Sequence, residues 1–124
     1  MFVACRGRRV VGYYTVSAAS VVREETPASL RKGGPPREIP CLLLGRLAVD
    51  EREQGQRLGR SLLIDVLRRT VVISNDVGVR ALLVHARDEA ALSWYRHQVL
   101  AFQPSPVDQM QLFLPIKALR KAAE

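Results

Sequence analysis

The chain has 124 residues, 48% of them hydrophobic and 25% charged, the balance of one folded domain and not of a disordered or low-complexity segment. No apolar run approaches the roughly 20 residues of a membrane span, and the N-terminus lacks a signal peptide's pattern, so a cytoplasmic protein is expected. The net charge of +7 comes almost wholly from arginine, with lysine only at Lys32, Lys117 and Lys121. Guanidinium forks suit phosphates, so an anionic partner is one reading; a solvated arginine-rich surface is the equal alternative.

In chain order, Phe2 to Cys5 reads as a short strand and Arg6-Gly7-Arg8 as a tight hairpin turn. Val10 to Val22 is β-branched, aromatic and small, which predicts a long strand with a bulge near Gly12. Arg23 to Glu38 holds Pro27, Gly33, Gly34, Pro35 and Pro36 and is expected to be a mobile loop. Pro40 to Val49 is the central strand. Leu58, Leu62, Leu63, Val66, Leu67 and Val71 form the apolar stripe of a helix reaching about Asn75, which Gly78 ends. Ala81 to Ala86 is a buried strand. Asp88 or Glu89 caps a second helix carrying Trp94 and Tyr95. Pro104 and Pro106 bound a loop, Met110 to Leu114 is the last strand, and Ile116 to Ala123 a short basic helix. Two strand–helix–strand steps predict a mixed sheet with helices packed on it. Cys5 and Cys41 lie in apolar strand-like runs and are expected to be buried free thiols. His85 and His97 stand alone, without the spacing of a metal site, and no metal is expected.

The segment from Leu43 to Leu63 carries the chemistry. An apolar strand enters a polar turn, Gln54-Gly55-Gln56-Arg57, and the turn opens an amphipathic helix. A helix N-terminus reached in this way offers unpaired N–H groups and the positive end of the helix dipole to an anion such as a pyrophosphate. A plain helix cap is the bland alternative.

Arg46-Leu47-Ala48-Val49-Asp50, then Gln54-Gly55 and Leu58-Gly59-Arg60, resembles the acetyl-coenzyme A motif of GNAT-family N-acetyltransferases. Val79 to Ala86, Asp88 to Ala91, Trp94-Tyr95 and Phe102 to Pro106 resemble the later strand, helix and tyrosine of the same family. With Val11 to Tyr14, Ala18 to Val21 and Met110 to Pro115, the likeness spans about residues 9 to 119. It is nearest the GNAT toxins that acetylate aminoacyl-tRNA. The resemblance implies an α/β (α+β) GNAT fold, a mixed central sheet flanked by helices. It also implies acetyl-coenzyme A as co-substrate. Leu47, Ala48 and Val49 would meet the pantetheine arm, and Gln54, Gly55, Gln56, Arg57, Leu58, Gly59 and Arg60 the phosphates. By the same resemblance Tyr95 is the general acid for the departing thiolate; a core tyrosine is the alternative. Arg57 stands where the family has glycine, so it either adds a guanidinium to the phosphate site or obstructs it. Arg96 to Phe102 is about two residues longer than usual, with Ala101 in place of a glycine, so the helix end must loop differently.

Many members of the family place a carboxylate base on the central strand, and Cys41 to Val49 contains none. A lysine amine with a pKa near 10.4 is neutral about one part in a thousand at neutral pH, whereas an α-amine near 7.7 is substantially neutral. The absent base therefore points to an α-amine, and the amine beside the ester of aminoacyl-tRNA titrates lower still. Arg46, Arg87 and Arg96 are the expected acceptor contacts, with solvated surface arginines as the alternative. The resemblance further implies a strand and one or two helices ahead of Phe2, hence either a start upstream or a truncated gene, an exposed edge on the first strand, a homodimer or partner covering it, and a ribbon-helix-helix antitoxin. A GNAT enzyme acting on a small-molecule or protein amine is one alternative function. A non-catalytic remnant binding RNA or an antitoxin is the other.

Overall fold

The computed structural model describes residues 1–55 and 57–123, with side chains as far as Lys121. Gln56, one of the expected phosphate contacts, lies outside the described residues. Strands β1 (Phe2–Arg6), β2 (Arg9–Val22), β3 (Glu38–Val49), β4 (Ala81–His85), β5 (Gln103–Pro104) and β6 (Gln111–Pro115) alternate with helices α1 (Leu58–Asp76), α2 (Glu89–Gln98) and α3 (Ile116–Ala123). The strands form one sheet in the order β1-β2-β3-β4-β6-β5. β3 and β4 run parallel, joined through α1, and the other neighbouring pairs are antiparallel. This is the expected mixed sheet, with one addition. Pro104, read as a loop boundary, sits in the short edge strand β5, where a residue without an N–H costs no ladder bond.

One face of the sheet holds the main core. Leu62, Leu63 and Val66 of α1 pack on Tyr14, Leu42, Leu44, Leu82, Val84, Leu112 and Leu114. α3 adds Ile116 and Leu119, three residues apart on one side of the helix. Thr70 is buried on α1 and stays satisfied because its hydroxyl donates to the Val66 carbonyl at 2.8 Å. Arg120 of α3 reaches the last turn of α1 and donates to the Ser74 carbonyl at 3.2 Å, a cation placed at the negative helix end. At the far edge, Phe2 stacks on Tyr14, the Arg69 guanidinium lies 4.0 Å over the Phe2 ring, and the Tyr14 hydroxyl donates to Asp65. Burial first, and then the Asp65 carboxylate, push the Tyr14 phenol up to about 12.

Two bulges shape the long strands. Ala4 pairs with Gly12 and Cys5 with Val10, so Val11 is the extra residue, beside Gly12 as the sequence suggests. Thr15 pairs with Arg46 and Val16 with Leu44, which leaves Gly45 as the extra residue of β3. A Cβ at Gly45 would sit 2.8 Å from the Thr15 Oγ1, so a larger residue at the second bulge would require Thr15 to move. Cys5 differs from expectation. It is exposed, whereas Cys41 is buried. The edge strand β1 is hydrogen-bonded on one side only, and beyond the first bulge Cys5 lies opposite Val10, itself 50% exposed.

The opposite face of the sheet holds a smaller core of Val21, Ile39, Cys41, Ala81, Leu83 and Phe113, capped by Leu30. Leu30 belongs to the 23–38 segment, the loop marked in the sequence by Pro27, Gly33, Gly34, Pro35 and Pro36. That segment contains two short 3-10 turns, Arg23–Glu25 and Ala28–Leu30. It buries Thr26 and Leu30 and is tied down where the Ser105 hydroxyl donates to the Glu25 carbonyl at 2.8 Å. Glycine and proline marked the departure from regular structure; the single buried leucine decides where the segment lies. Leu30→Ala should lower stability by about 2–4 kcal/mol, the usual cost of truncating a core leucine, measured by urea denaturation. A loss below about 0.5 kcal/mol, the range of surface substitutions, would show the segment to be detached from the sheet.

Candidate functional site

β3 and β4 pair from Cys41 opposite Ala81 to Leu44 opposite Val84, and then part. β3 runs on through the Gly45 bulge to Val49 with β2 as its ladder partner. The backbone of Leu47 to Val49 thus presents an open edge on the side where β4 has left. An open cleft of about 590 Å³ fills the gap. Leu47 and Val49 line its β3 side, Gly55, Arg57, Leu58, Gly59 and Arg60 its α1 side, and Ala91, Trp94, Tyr95, His97 and Gln98 its α2 side.

The turn between β3 and α1 is built from backbone and carboxylates. Asp50 accepts from the Arg52 N–H at 2.9 Å and caps the short turn Glu51–Glu53. Its side-chain bond to Arg52 holds the Asp50 carboxyl below the usual carboxylate range. Gly55 has φ +88° and Arg57 φ +59°, both left-handed. Arg57 therefore keeps the backbone that a glycine would adopt freely, at a cost of about 1–2 kcal/mol for a residue with a Cβ. The first helical bond of α1 runs from the Ser61 N–H to the Arg57 carbonyl at 3.0 Å. The N–H groups of Leu58, Gly59 and Arg60 precede it and have no acceptor within the helix. They open at the cleft, where the helix dipole favours an anion. Arg57 and Arg60 add two guanidiniums to the same wall.

The facing wall begins at Asp88, whose carboxylate accepts from the Ala91 N–H at 2.8 Å and starts α2. Trp94 closes on α1 so tightly that a Cβ at Gly59 would lie 3.3 Å from its Cζ2. Tyr95 is buried, edge-on to Trp94 at 5.0 Å and to Phe102 at 6.1 Å between ring centroids. Desolvation pushes its phenol up to about 12, so it is a proton donor throughout the physiological range. Arg60 donates to the Gln98 Oε1 at 3.1 Å and bridges the two walls. The segment after Tyr95 forms a turn with Leu100, 90% exposed, at its tip, and Phe102 returns to the core.

Of the residues expected from the sequence, the cleft brings together Leu47, Val49, Gln54, Gly55, Arg57, Leu58, Gly59, Arg60 and Tyr95. Ala48 points away, as strand alternation requires between Leu47 and Val49. Arg46, Arg87 and Arg96 are exposed and do not line the cleft. His97, given no role from the sequence, lines it, as do Ala91, Trp94 and Gln98; the helical spacing of Ala91, Trp94, Tyr95 and Gln98 was the available signal. Glu53 was also missed, and nothing in its local sequence announces a buried carboxylate. Among the described residues no group of three or more His, Cys, Asp or Glu could hold a metal ion. A phosphate-bearing chain with amide groups fits this donor set: N–H groups and guanidiniums for the phosphates, an open strand edge for the amides, and a neutral phenol at the far wall.

No family model matches the chain. It is 42% identical over 119 residues to a tRNA-acetylating toxin of Mycobacterium tuberculosis, covering 96% of this chain and 70% of that protein. Among solved structures it is similar to AtaT complexed with acetyl-methionyl-tRNAfMet, with a TM-score of 0.88 and 32% identity over 98% of this chain and 74% of that one. It is also similar to a tyrosine-to-phenylalanine mutant of AtaT bound to the C-terminus of the antitoxin AtaR and acetyl-CoA, with a TM-score of 0.74 and 30% identity over 94% and 67% of the two chains. The left-handed Arg57 yields a direct test. Arg57→Gly should gain about 0.5–1 kcal/mol, the strain relieved less the added entropy of the unfolded chain, and raise the melting temperature by about 2–5 °C in calorimetry. A lower melting temperature would mean that the Arg57 side chain stabilises the turn by more than its backbone costs.

Proposed function

The chain belongs to the tRNA-acetylating toxins of the GNAT fold, and we propose that it transfers acetyl from acetyl-coenzyme A to the α-amine of an aminoacyl-tRNA. The cleft where β3 and β4 part, beside an open helix N-terminus, carries this reading. The edge of β3 at Leu47 and Val49 pairs with the pantetheine amides, and the N–H groups of Leu58 to Arg60, with the Arg57 and Arg60 guanidiniums, hold the pyrophosphate. Acetyl-coenzyme A supplies the thioester whose carbonyl carbon the amine attacks. As the C–N bond forms and the C–S bond breaks, Tyr95 donates its hydroxyl proton to the departing sulfur, and the proton that the attacking nitrogen sheds passes through water to restore the Tyr95 hydroxyl. In water a phenol near 10 is close enough to a thiol near 8.5 for such a transfer. The apolar wall that pushes Tyr95 up to about 12 also disfavours a bare thiolate, so donor and acceptor move in the same direction.

β3 offers no carboxylate from Cys41 to Val49, which suits an amine already neutral at working pH. Binding and proximity then do the work that a base does elsewhere. Arg46, beside the Gly45 bulge, Arg87, just past β4, and Arg96, next to Tyr95 on α2, are exposed and are the proposed contacts to tRNA phosphates outside the cleft. A ribbon-helix-helix antitoxin is the proposed protein partner, and a second copy of the chain the proposed cover for the β1 edge. An enzyme consuming aminoacyl-tRNA works in the cytoplasm, and no helix among the described residues is long and apolar enough to cross a membrane.

Purified charged tRNA and acetyl-coenzyme A should give N-acetylaminoacyl-tRNA, and Tyr95→Phe should lower kcat by about 10²–10³ with little change in KM for acetyl-coenzyme A. Turnover that ignores tRNA and salt would instead favour a small-molecule or protein amine. The pH profile supplies a second test. With Tyr95 protonated up to about 12, the initial rate, corrected for loss of the aminoacyl ester in base, should rise as the amine loses its proton below about pH 8 and then stay level to pH 10. A fall between pH 8 and 10 would remove Tyr95 from the role of acid.

A further inference from the structure

We infer that Glu53 is a positioning residue for the phosphate turn, held by an arginine clamp from the β1–β2 hairpin; the inference rests on the acetyl-coenzyme A site proposed above. Glu53 immediately precedes Gln54-Gly55 and lines the cleft, yet its side chain is only 4% exposed. A carboxylate so buried demands partners, and it has them. Arg6 donates from Nε at 3.1 Å and from Nη2 at 3.0 Å, a two-pronged grip, and Arg9 donates from Nη2 to the Glu53 Oε1. Both arginines flank the Gly7 turn of the hairpin, far from the turn in sequence. The clamp therefore ties the hairpin end to the backbone that must be held still for N–H groups to converge on an anion.

Charge argues for a role in binding as well as in folding. A lone carboxylate on the wall of a phosphate site would repel the ligand, and two guanidiniums turn that corner net positive. The hairpin thus sets both the position and the sign of the turn. The predicted consequence is selective. Contacts made through the pyrophosphate depend on Glu53, while contacts to the pantetheine arm along β3 do not.

Two acetyl donors separate these cases: acetyl-coenzyme A, which carries the pyrophosphate, and S-acetylpantetheine, which lacks it. Glu53→Gln slackens the clamp and should raise the calorimetric Kd for acetyl-coenzyme A about tenfold, the displaced turn outweighing the repulsion removed with the charge, and leave turnover of S-acetylpantetheine within about twofold. Arg9→Ala, which leaves the Arg6 grip in place, should show the same selectivity at smaller amplitude and serves if Glu53→Gln does not fold. A folded variant that binds acetyl-coenzyme A like the unaltered chain, or one that loses both donors equally, overturns the inference. Failure of the unaltered chain to bind acetyl-coenzyme A would instead strike the proposed function itself.

Discussion

The ladder between β3 and β4 ends at Leu44 and Val84, and the rest of the site depends on that ending. Parallel neighbours joined through a helix ordinarily stay paired along their shared length. Here β3 stays paired with β2 through the bulge at Gly45, while β4 ends at His85 and the chain turns into α2. Bulges are common beside functional sites. One strand edge is left with backbone groups unpaired, a helix N-terminus opens next to it, and a buried phenol stands across. The Thr15 hydroxyl lies against Gly45, where a Cβ would come within 2.8 Å of it.

Electrostatics then sets apart three groups of arginine. Arg57 and Arg60 face the cleft, while Arg6 and Arg9 are committed to Glu53 and act through it. Arg46, Arg87 and Arg96 lie outside and are open to solvent. A positive net charge therefore does not mean a uniform basic surface. The carboxylates are as informative as the cations: Asp50 and Glu53 shape the turn, Asp88 starts α2, and none stands on β3 between Cys41 and Val49.

Much of this was legible in the chain. The period of Leu58, Leu62, Leu63 and Val66 marks α1, the run from Ala81 to Val84 a strand buried on both faces, and Asp88 a cap, because each feature is local. Expectation and structure part where a distant contact decides. Glu53 sits between Arg52 and Gln54 in a polar turn and reads as solvated; only the hairpin, more than forty residues earlier, buries it. Leu30 is one apolar residue among prolines and glycines, and its place over Ile39 and Leu83 follows from the sheet face it finds uncovered. Cys5 looks like a core thiol until the bulge at Val11 and the strand's edge position expose it. At Arg57 the sequence shows an altered residue, yet the left-handed backbone persists, since the strand before it and the helix after it dictate the turn.

Trp94, the chain's only tryptophan, stands between Gly59 and Tyr95 on the wall of the cleft. Its indole emission reports the polarity of its surroundings, and a guest entering the cleft exchanges water for ligand on one side of the ring. The protein thus carries its own optical sensor at the place where occupancy matters, with no second indole to blur the signal. Occupancy of the cleft can be followed without a label, and separately from any chemistry that follows.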